Sequence, residues 1–407
     1  MKQTRNFPIA VITEKGELSV RNGHPWIYAE EVTEKNGEFE NGCLTDIFSS
    51  KNAYLGTGFF SEKSKIAFRI LSTNANDKFD AAFFERRVKY AIDYRKTVMG
   101  NDFSCCRLIF GEADGLPGLT VDRFSNILVA QVLSFGTDKI KNVIFAAIYK
   151  ILNEYDDKID GIYERNDSAI RELEGLEQYK GWYENFSHPE STITEITENG
   201  VKYTVDFENG QKTGYFLDQK YNRREVARFS KGKNVLDCFT HTGSFALCAA
   251  IGGANSVSAV DVSETALSAA KENARKNGLE NKIDFICADI FDFLPKLCDE
   301  KSRKFDFIIL DPPAFTKSRK TIFSAASGYR EINRRAMKLL PRGGYLATCS
   351  CSHFMEEKLF IKMLKEAALD ADVQLKQIEA RQQSPDHPIL WNVPETDYLK
   401  FYIFQIV

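Results

Sequence analysis

The sequence predicts an α/β chain in three parts: a helix-covered, mostly parallel sheet over residues 191–407, a β-rich module over 1–74, and an α+β stretch over 75–190. Three observations carry this prediction. From about Thr192, apolar runs alternate with amphipathic ones in the order β-α-β-α-β, the pattern of a parallel sheet covered on both faces. Met1 to about Leu71 instead alternates apolar and polar residues, with Gly punctuation. Between the two, "FDAAFFERRVKYAIDYRKTVMG" repeats apolar residues at helical spacing until Gly100 ends it. At 407 residues the chain is also too long for one ordinary domain.

In chain order, "AVITEKGELSV" and "NAYLGTGFFSEKSKIAFRIL" read as strands, with "GHPWIYAEEV" between them. The helix over Phe79 to Gly100 follows. "CRLIFGEADGLPGLTVDRFSNILVAQVL" reads strand, turn, strand, turn, strand, with "DGLPGL" and "RFSN" as the turns. A helix from about Asp138 to Glu154 and the strand "GIYERN" complete the middle part. A hairpin-like "STITEITENGVKYTVDF" leads into "GQKTGYFLDQKYNRREVARF". The strands of the last part are "NVLDCF", "SVSAVDV", "KIDFICAD", "FDFIILDPP" and "GGYLATCSC". Ser352 is expected to cap the helix "HFMEEKLFIKMLKEAALDA".

Composition excludes several classes. Hydrophobic residues make up 43% and charged residues 27%, an ordinary globular balance. No run approaches the ~20 apolar residues of a membrane span, and the N-terminus has no apolar signal region, so no membrane partner and a cytoplasmic location are expected. The nine cysteines lack paired zinc-site spacing, so no metal is expected. Cys349 and Cys351 are too close in sequence for a disulfide of normal geometry. With a net charge of −3, any nucleic-acid contact must be a local basic patch. Thr316 to Lys338 is one candidate: Lys317, Arg319, Lys320, Arg330, Arg334, Arg335 and Lys338 stand there against Glu331 alone. Composition alone favours a solvated helix face.

In a parallel sheet, ligands bind outside the carboxyl ends of the strands. The loop after "NVLDC" carries one glycine at the helix start, Gly243, where a pyrophosphate needs two or three. Asp237 near the end of this strand suits a cationic sulfonium ligand better than a diphosphate. The next strand ends in Asp261, placed for ribose hydroxyls, and the third in Asp289, placed for an adenine amino group. Each alone could be a helix cap or a turn. Their succession points to S-adenosylmethionine. The fourth strand ends in "LDPPAFTKS", where two prolines stiffen the loop behind Asp311.

These residues match a known family. "VLDCFTHTGSF", "VDVSETALSAAKENARKNG", "LDPPAF" and "GYREIN" resemble class I S-adenosylmethionine-dependent methyltransferases. More narrowly, the chain resembles the bacterial large-subunit ribosomal RNA methyltransferase I family, 5-methylcytosine RNA methyltransferases with an N-terminal PUA domain. "RNGHPWIYAEEV" resembles its PUA segment, and "LIFGEADGLPGLTVDRF" and "IYERNDSAIRELEGLE" its central domain. "GQKTGYFLDQKYNRR" resembles the entry to its catalytic domain, and "SPDHPIL…PETDYLK" its C-terminal hairpin. The resemblance implies a Rossmann-like catalytic sheet, S-adenosylmethionine as cofactor and large-subunit ribosomal RNA as partner. Family members commonly pair, so a homodimer is one expectation, although the sequence does not state the oligomeric state. Gln211, Lys212, Thr213, Phe216 and Asp218 are implied to shape the cofactor and substrate cleft. Phe216, Asp218, Asp237, Phe239, Thr242, Gly243, Asp261, Asp289 and Asp311 are the expected cofactor contacts. Lys212, Pro312, Pro313, Phe315, Lys317, Arg319 and Tyr329 are the expected RNA contacts, with Phe315 and Tyr329 stacking an extruded base. "FTHTGSF" departs from the family's usual Y-T-G-G-F ending at His241 and Ser244.

C5 of cytosine is too weak a nucleophile to take a methyl group directly. A thiolate adding at C6 makes C5 enamine-like and splits one hard step into two. Asp311 is expected to serve the ring edge at N3. Cys349 and Cys351 share a strand face, so periodicity does not separate them. Cys351 lies nearer the carboxyl end, beside the expected helix N-terminus, and within the Ser-Cys-Ser string that resembles the family's catalytic one. It is the expected nucleophile, and Cys349 is expected to be packing. Two other readings remain open. A guanine or exocyclic-amine methyltransferase would need no thiol, and would usually carry an aromatic directly after its Asp-Pro-Pro, where this chain has Ala314. A non-catalytic RNA-binding assembly factor would have no use for three strand-end carboxylates.

Overall fold

The computed structural model describes residues 5–300, 304–316 and 318–407. They divide into two compact units. The first comprises Met1–Ile196, Val205–Leu217 and Pro385–Thr396, and the second Thr197–Thr204, Asp218–Ser384 and Asp397–Val407.

The first unit holds two sheets. One has six strands within residues 9–72, in the order Trp26–Tyr28, Ile66–Ser72, Tyr54–Phe60, Leu44–Ser49, Ile9–Ile12, Val32–Asn36. The expected strand "AVITEKGELSV" stops at Ile12. Thr13 then accepts a hydrogen bond from the Gly16 amide and starts a helix over Glu14–Arg21. Val20 on that helix joins the core of Ile12, Ile27, Ile47 and Phe68, so a cap and one buried residue override the two-residue alternation. The second sheet runs Tyr179–Trp182, Gly161–Asn166, Ile127–Val132, Leu119–Phe124, Cys105–Phe110. The expected middle helices form as Ala81–Met99, between an Asp80 cap and Gly100, and as Phe135–Glu154.

The second unit begins with a hairpin tip over Thr197–Thr204, turned by Asn199 and Gly200, both in the left-handed region. Helix α1 (Lys220–Ser230) comes next. Its Arg223 makes a bidentate, fully buried ion pair with Glu198 at 2.6 and 3.0 Å. Then β1 (Asn234–Cys238), α2 (Ser244–Ile251), β2 (Ser256–Asp261), α3 (Glu264–Lys276), β3 (Ile283–Cys287), α4 (Ile290–Asp299), β4 (Phe307–Leu310), α5 (Ile322–Leu339) and β5 (Tyr345–Ser350) alternate as expected. Helix α6 (Glu357–Asp370) and the strands β6 (Leu375–Arg381) and β7 (Lys400–Ile406) finish the chain.

The sheet order is β3-β2-β1-β4-β5-β7-β6. The five strands from β3 to β5 are parallel, and β7 and β6 add antiparallel pairs at one side. Chain order reverses between β1 and β4, which opens a crevice at their carboxyl ends. Leu236, Ile308 and Leu346 pack one face against Ala325, Tyr329, Ile332 and Ala336 of α5 and Phe360 of α6.

Candidate active site

Asp237 precedes the last residue of β1 and is 0% exposed. Its Oδ2 accepts from the Thr240 hydroxyl at 2.5 Å and the Ala246 amide at 2.9 Å. Its Oδ1 has no partner among the described residues. Burial pushes this carboxyl up to about 7, with the charges of Asp311 and Asp261 adding to it. The loop beyond is backbone-strained: Phe239, His241 and Gly243 all have positive φ, of 66°, 50° and 84°. Such conformations cost of order 1–3 kcal/mol at each non-glycine position and cluster at binding sites. At Gly243 a Cβ would stand 3.0 Å from that of Ala270, so helix packing as well as φ calls for glycine.

Asp261 closes β2 with both oxygens engaged by backbone amides, His241 at 2.8 Å and Ser263 at 2.9 Å. Each oxygen keeps lone-pair capacity toward solvent. Asp289 is exposed and caps α4 through the Phe291 amide at 2.8 Å, the ordinary role for such a residue. Thr242 is half-buried, with its carbonyl held by Asn273 at 3.2 Å. Val262 and Phe291 stand exposed just past β2 and β3, apolar faces that sequence reasoning passed over.

Asp311 directly follows β4. Gln219 donates to its Oδ1 at 3.0 Å. Burial first, then the charge of Asp218, push its carboxyl up to about 6, while Arg223 opposes. Asp218 in turn accepts from the Tyr398 hydroxyl at 2.7 Å. Gln219 and Tyr398 are site residues that the sequence reading did not single out.

The strand end separates the two thiols. Cys349 lies within β5, fully buried, with Asp311 and Gln219 as hydrogen-bond partners. Burial, and the Asp311 charge after it, push its thiol well above the ordinary range. Cys351 lies one residue past β5, half-buried, with Sγ 3.9 Å from the Pro312 carbonyl.

Two expectations here are corrected. Ser352 caps no helix: α6 starts at Glu357, with Glu356 before it. The intervening residues form a turn, closed by the Met355 amide on the Ser352 carbonyl at 3.1 Å, with Met355 buried in the core. The Ser352 hydroxyl instead donates to the Thr316 carbonyl at 2.9 Å, and the helix expected to begin beside Cys351 begins at Glu357. Tyr329 is not a free stacking surface. It is 0% exposed, edge-on to Phe360 and 4.6 Å from the Phe315 ring, which it supports from below.

Phe315 itself is half-buried, with Phe239 and Phe291 on its other sides. Pro312 is buried and Pro313 exposed. Arg319 and Lys320 are exposed in a short 3-10 turn before α5, and Lys317 lies outside the described residues. Gln211, Lys212, Thr213 and Phe216 belong to the first unit. There Thr213 is buried on Asp122 at 2.5 Å, and exposed Lys212 places its ammonium 5.0 Å from the Phe216 ring.

A buried carboxylate oxygen without a partner, beside a strained glycine loop, fits a ligand that brings positive charge and donors. The sulfonium and ammonium of S-adenosylmethionine meet that description, with Asp261 left for its ribose. Among the described residues no cluster of metal-ligating side chains occurs, and no helix is long and apolar enough to cross a membrane.

Comparison with known proteins agrees. Residues 180–404 match the family of S-adenosylmethionine-dependent methyltransferases, and residues 11–73 match PUA-like domains. The chain is 38% identical over 403 residues to the ribosomal RNA large subunit methyltransferase I of Klebsiella pneumoniae, covering 98% of this chain and 99% of that one. It is 40% identical over 393 residues to the protein of the same name from Pseudoalteromonas atlantica, covering 96% and 97%. A solved structure from Streptococcus mutans, described as a SAM-dependent methyltransferase, superposes with a TM-score of 0.81 at 21% identity, over 98% of this chain and 99% of that one, and shares the fold.

Proposed function

The chain belongs to the ribosomal RNA large subunit methyltransferase I family, and from that premise we propose that it forms 5-methylcytosine in large-subunit ribosomal RNA through a covalent adduct of Cys351. It is an S-adenosylmethionine-dependent enzyme, and Asp237, Asp261 and the loop from Phe239 to Gly243 are the residues that would hold the cofactor. When bound, the cofactor supplies an electrophilic methyl group. The rest falls to this chain's own side chains. The Cys351 thiolate adds to C6 of the base, and the electron pair displaced from the C5–C6 double bond makes C5 nucleophilic. Asp311 in its protonated form donates to the ring edge and takes up the charge that builds there. Once C5 has taken that methyl group, with the thioether S-adenosylhomocysteine left behind, transfer of the C5 proton to a water acting as base re-forms the C5–C6 double bond and expels the thiolate from C6. Phe315, backed by Tyr329, offers a stacking face for an extruded base.

The observation that carries this reading is the separation of the thiols. Cys349 is sealed against Asp311 and Gln219 and held protonated. Cys351 is partly exposed beside the Asp-Pro-Pro turn. An amine methyltransferase would have no need of that thiol.

The test is methyl incorporation into unmodified large-subunit ribosomal RNA, mapped by mass spectrometry. Cys351→Ala is expected to lower the rate by at least about 10³-fold, the scale of losing a nucleophile. Cys349→Ala is expected to stay within a few-fold of the parent. Full activity in Cys351→Ala, or a product methylated on nitrogen, defeats the proposal.

A further inference from the structure

Lys400 opens β7, and its register partner on β5 is Ser350, so its side chain reaches the Cys351–Ser352 turn from the neighbouring strand. The residue is 5% exposed. Its Nζ donates to the Ser352 carbonyl at 2.7 Å and the Tyr398 carbonyl at 2.9 Å. Two carbonyls satisfy hydrogen bonds but do not neutralise a charge. Among the described residues no carboxylate stands within ion-pair distance of this ammonium. Burying a charge without a counter-ion is costly, so the position calls for an anion.

Four groups of negative character face it: Asp397, Cys351, Glu357 and Glu356. Asp397 acts most strongly among them, although its carboxylate stands beyond ion-pair distance; it also accepts from the Gln382 amide at 3.3 Å, and Glu357 from the Tyr402 hydroxyl at 2.6 Å. Glu356 is exposed. Cys351 precedes Ser352, whose carbonyl the ammonium holds at 2.7 Å, and Asp397 precedes Tyr398, whose carbonyl it holds at 2.9 Å; of the two, only Cys351 lies beside the Asp-Pro-Pro turn. Cys351 in turn faces Lys400, Cys349 and the Tyr329 phenol. Burial keeps the latter two protonated, and Lys400 is a cation acting on this thiol from among the described residues.

We propose that Lys400 is a positioning residue for the methyl-transfer reaction: its buried ammonium is the counter-ion of the Cys351 thiolate, and fixes the turn that presents it. The proposal rests on Cys351 being the nucleophile. With the expected helix beginning only at Glu357, it also supplies a positive charge beside the thiol. Burial pulls the Lys400 ammonium down to about 8, against the opposing charges of Asp397 and then Cys351, and a thiolate formed beside it would favour its charged form.

The test is iodoacetamide alkylation of the full chain across pH, resolved by peptide mass spectrometry and needing neither RNA nor methyl transfer. The wild-type Cys351 midpoint is expected below the ordinary thiol value of about 8.5. Lys400→Gln keeps a donor for the carbonyls but no charge. It is expected to raise the midpoint by about one unit or more, slowing alkylation at pH 7 about tenfold. Lys400→Arg, which keeps the charge, is expected to hold the midpoint near wild type. Calorimetric binding of S-adenosylhomocysteine checks that each variant is folded. An ordinary midpoint in the wild type overturns the proposal outright, as does a Lys400→Gln midpoint equal to wild type. Should Cys351→Ala keep full methylation while Lys400→Gln still raises the thiol midpoint, the ion pair stands and the nucleophile assignment falls. The converse result separates the two the other way.

Discussion

Along the carboxyl edge of the second unit's sheet, two regions carry charge of opposite sign drawn away from solvent. At β1 and β4 the charges are carboxylates, Asp237 and Asp311, both pushed up by burial. Past β5 the charge is Lys400, pulled down by burial. Neither region closes its charge with an ion pair among the described residues: Asp237 keeps a buried oxygen without a partner, and the Lys400 ammonium donates to two carbonyls. The Arg223–Glu198 pair is the contrast, equally buried but bidentate and complete. A charge buried for structure is matched within the fold, whereas a charge left open marks where something else must come. On the reading proposed above, that is a cationic cofactor at one region and an ionised thiol at the other.

The largest effect is expected at Asp311. If its carboxyl works protonated at the ring edge, Asp311→Ala should cost about 10² to 10⁴ in rate, the range of a general acid. The sign with pH follows from its position near 6. The acid form is full below that value and lost above it, so the rate limb assigned to Asp311 falls as pH rises through about 6. Asp311→Asn, a neutral donor at every pH, should flatten that limb. A pH profile of methyl incorporation reads both variants, and an Asp311→Ala rate within a few-fold of wild type would remove the carboxylate region from the chemistry.

Asp237 should show a smaller effect, split between binding and stability. Removing a charged hydrogen-bond partner costs about 1.5–3 kcal/mol, so Asp237→Asn should weaken S-adenosylhomocysteine binding by about 10- to 100-fold. Stability should move the other way. The folded-state pKa is raised from 3.8 to about 7, so folding favours the protonated form. That contribution is present below pH 4 and is lost as pH rises through about 7. Ligand-free Asp237→Asn should therefore melt no lower than wild type at pH 8, and the difference between the two should shrink toward pH 4. Unchanged binding by calorimetry would mean that the open oxygen is not a cofactor contact.

How much of this was legible follows from where each residue stands. Asp237, Asp261 and Asp311 were readable because a parallel strand announces its carboxyl end. The same logic places Asp289 at the edge, where one of its oxygens also caps α4 through the Phe291 amide. Tyr329 was misplaced by its basic neighbours. Its own spacing with Ala325, Ile332 and Ala336 is the buried stripe of a helix, and that signal was available. Ser352 has the composition of a cap, but the pull of Met355 into the core is a tertiary effect that no local pattern encodes. Lys400 left one trace, a lysine inside the apolar strand "LKFYIF". Its meaning depends on β7 lying beside β5, a pairing across 50 residues that the sequence does not advertise.

The smallest expected effect distinguishes the buried cation from exposed ones. Arg319 and Lys320 stand in solvent after the Asp-Pro-Pro turn, and Lys317 precedes them in sequence. If these residues hold RNA phosphates, neutralising all three should weaken binding uniformly across RNA sequences. It should also reduce the slope of log affinity against log salt by about 2 to 3, since each phosphate contact releases roughly 0.7–0.9 of a counterion. Lys400 is as basic by sequence but sealed from solvent, and its proposed anion is a thiolate of the same chain. Lys400→Gln should therefore leave the salt slope of RNA binding where it was while moving the thiol midpoint. Binding isotherms at several salt concentrations separate the two kinds of cation. An unchanged slope in the triple variant, or a reduced slope in Lys400→Gln, would reverse the assignment of which lysines meet the RNA and which meets the cysteine.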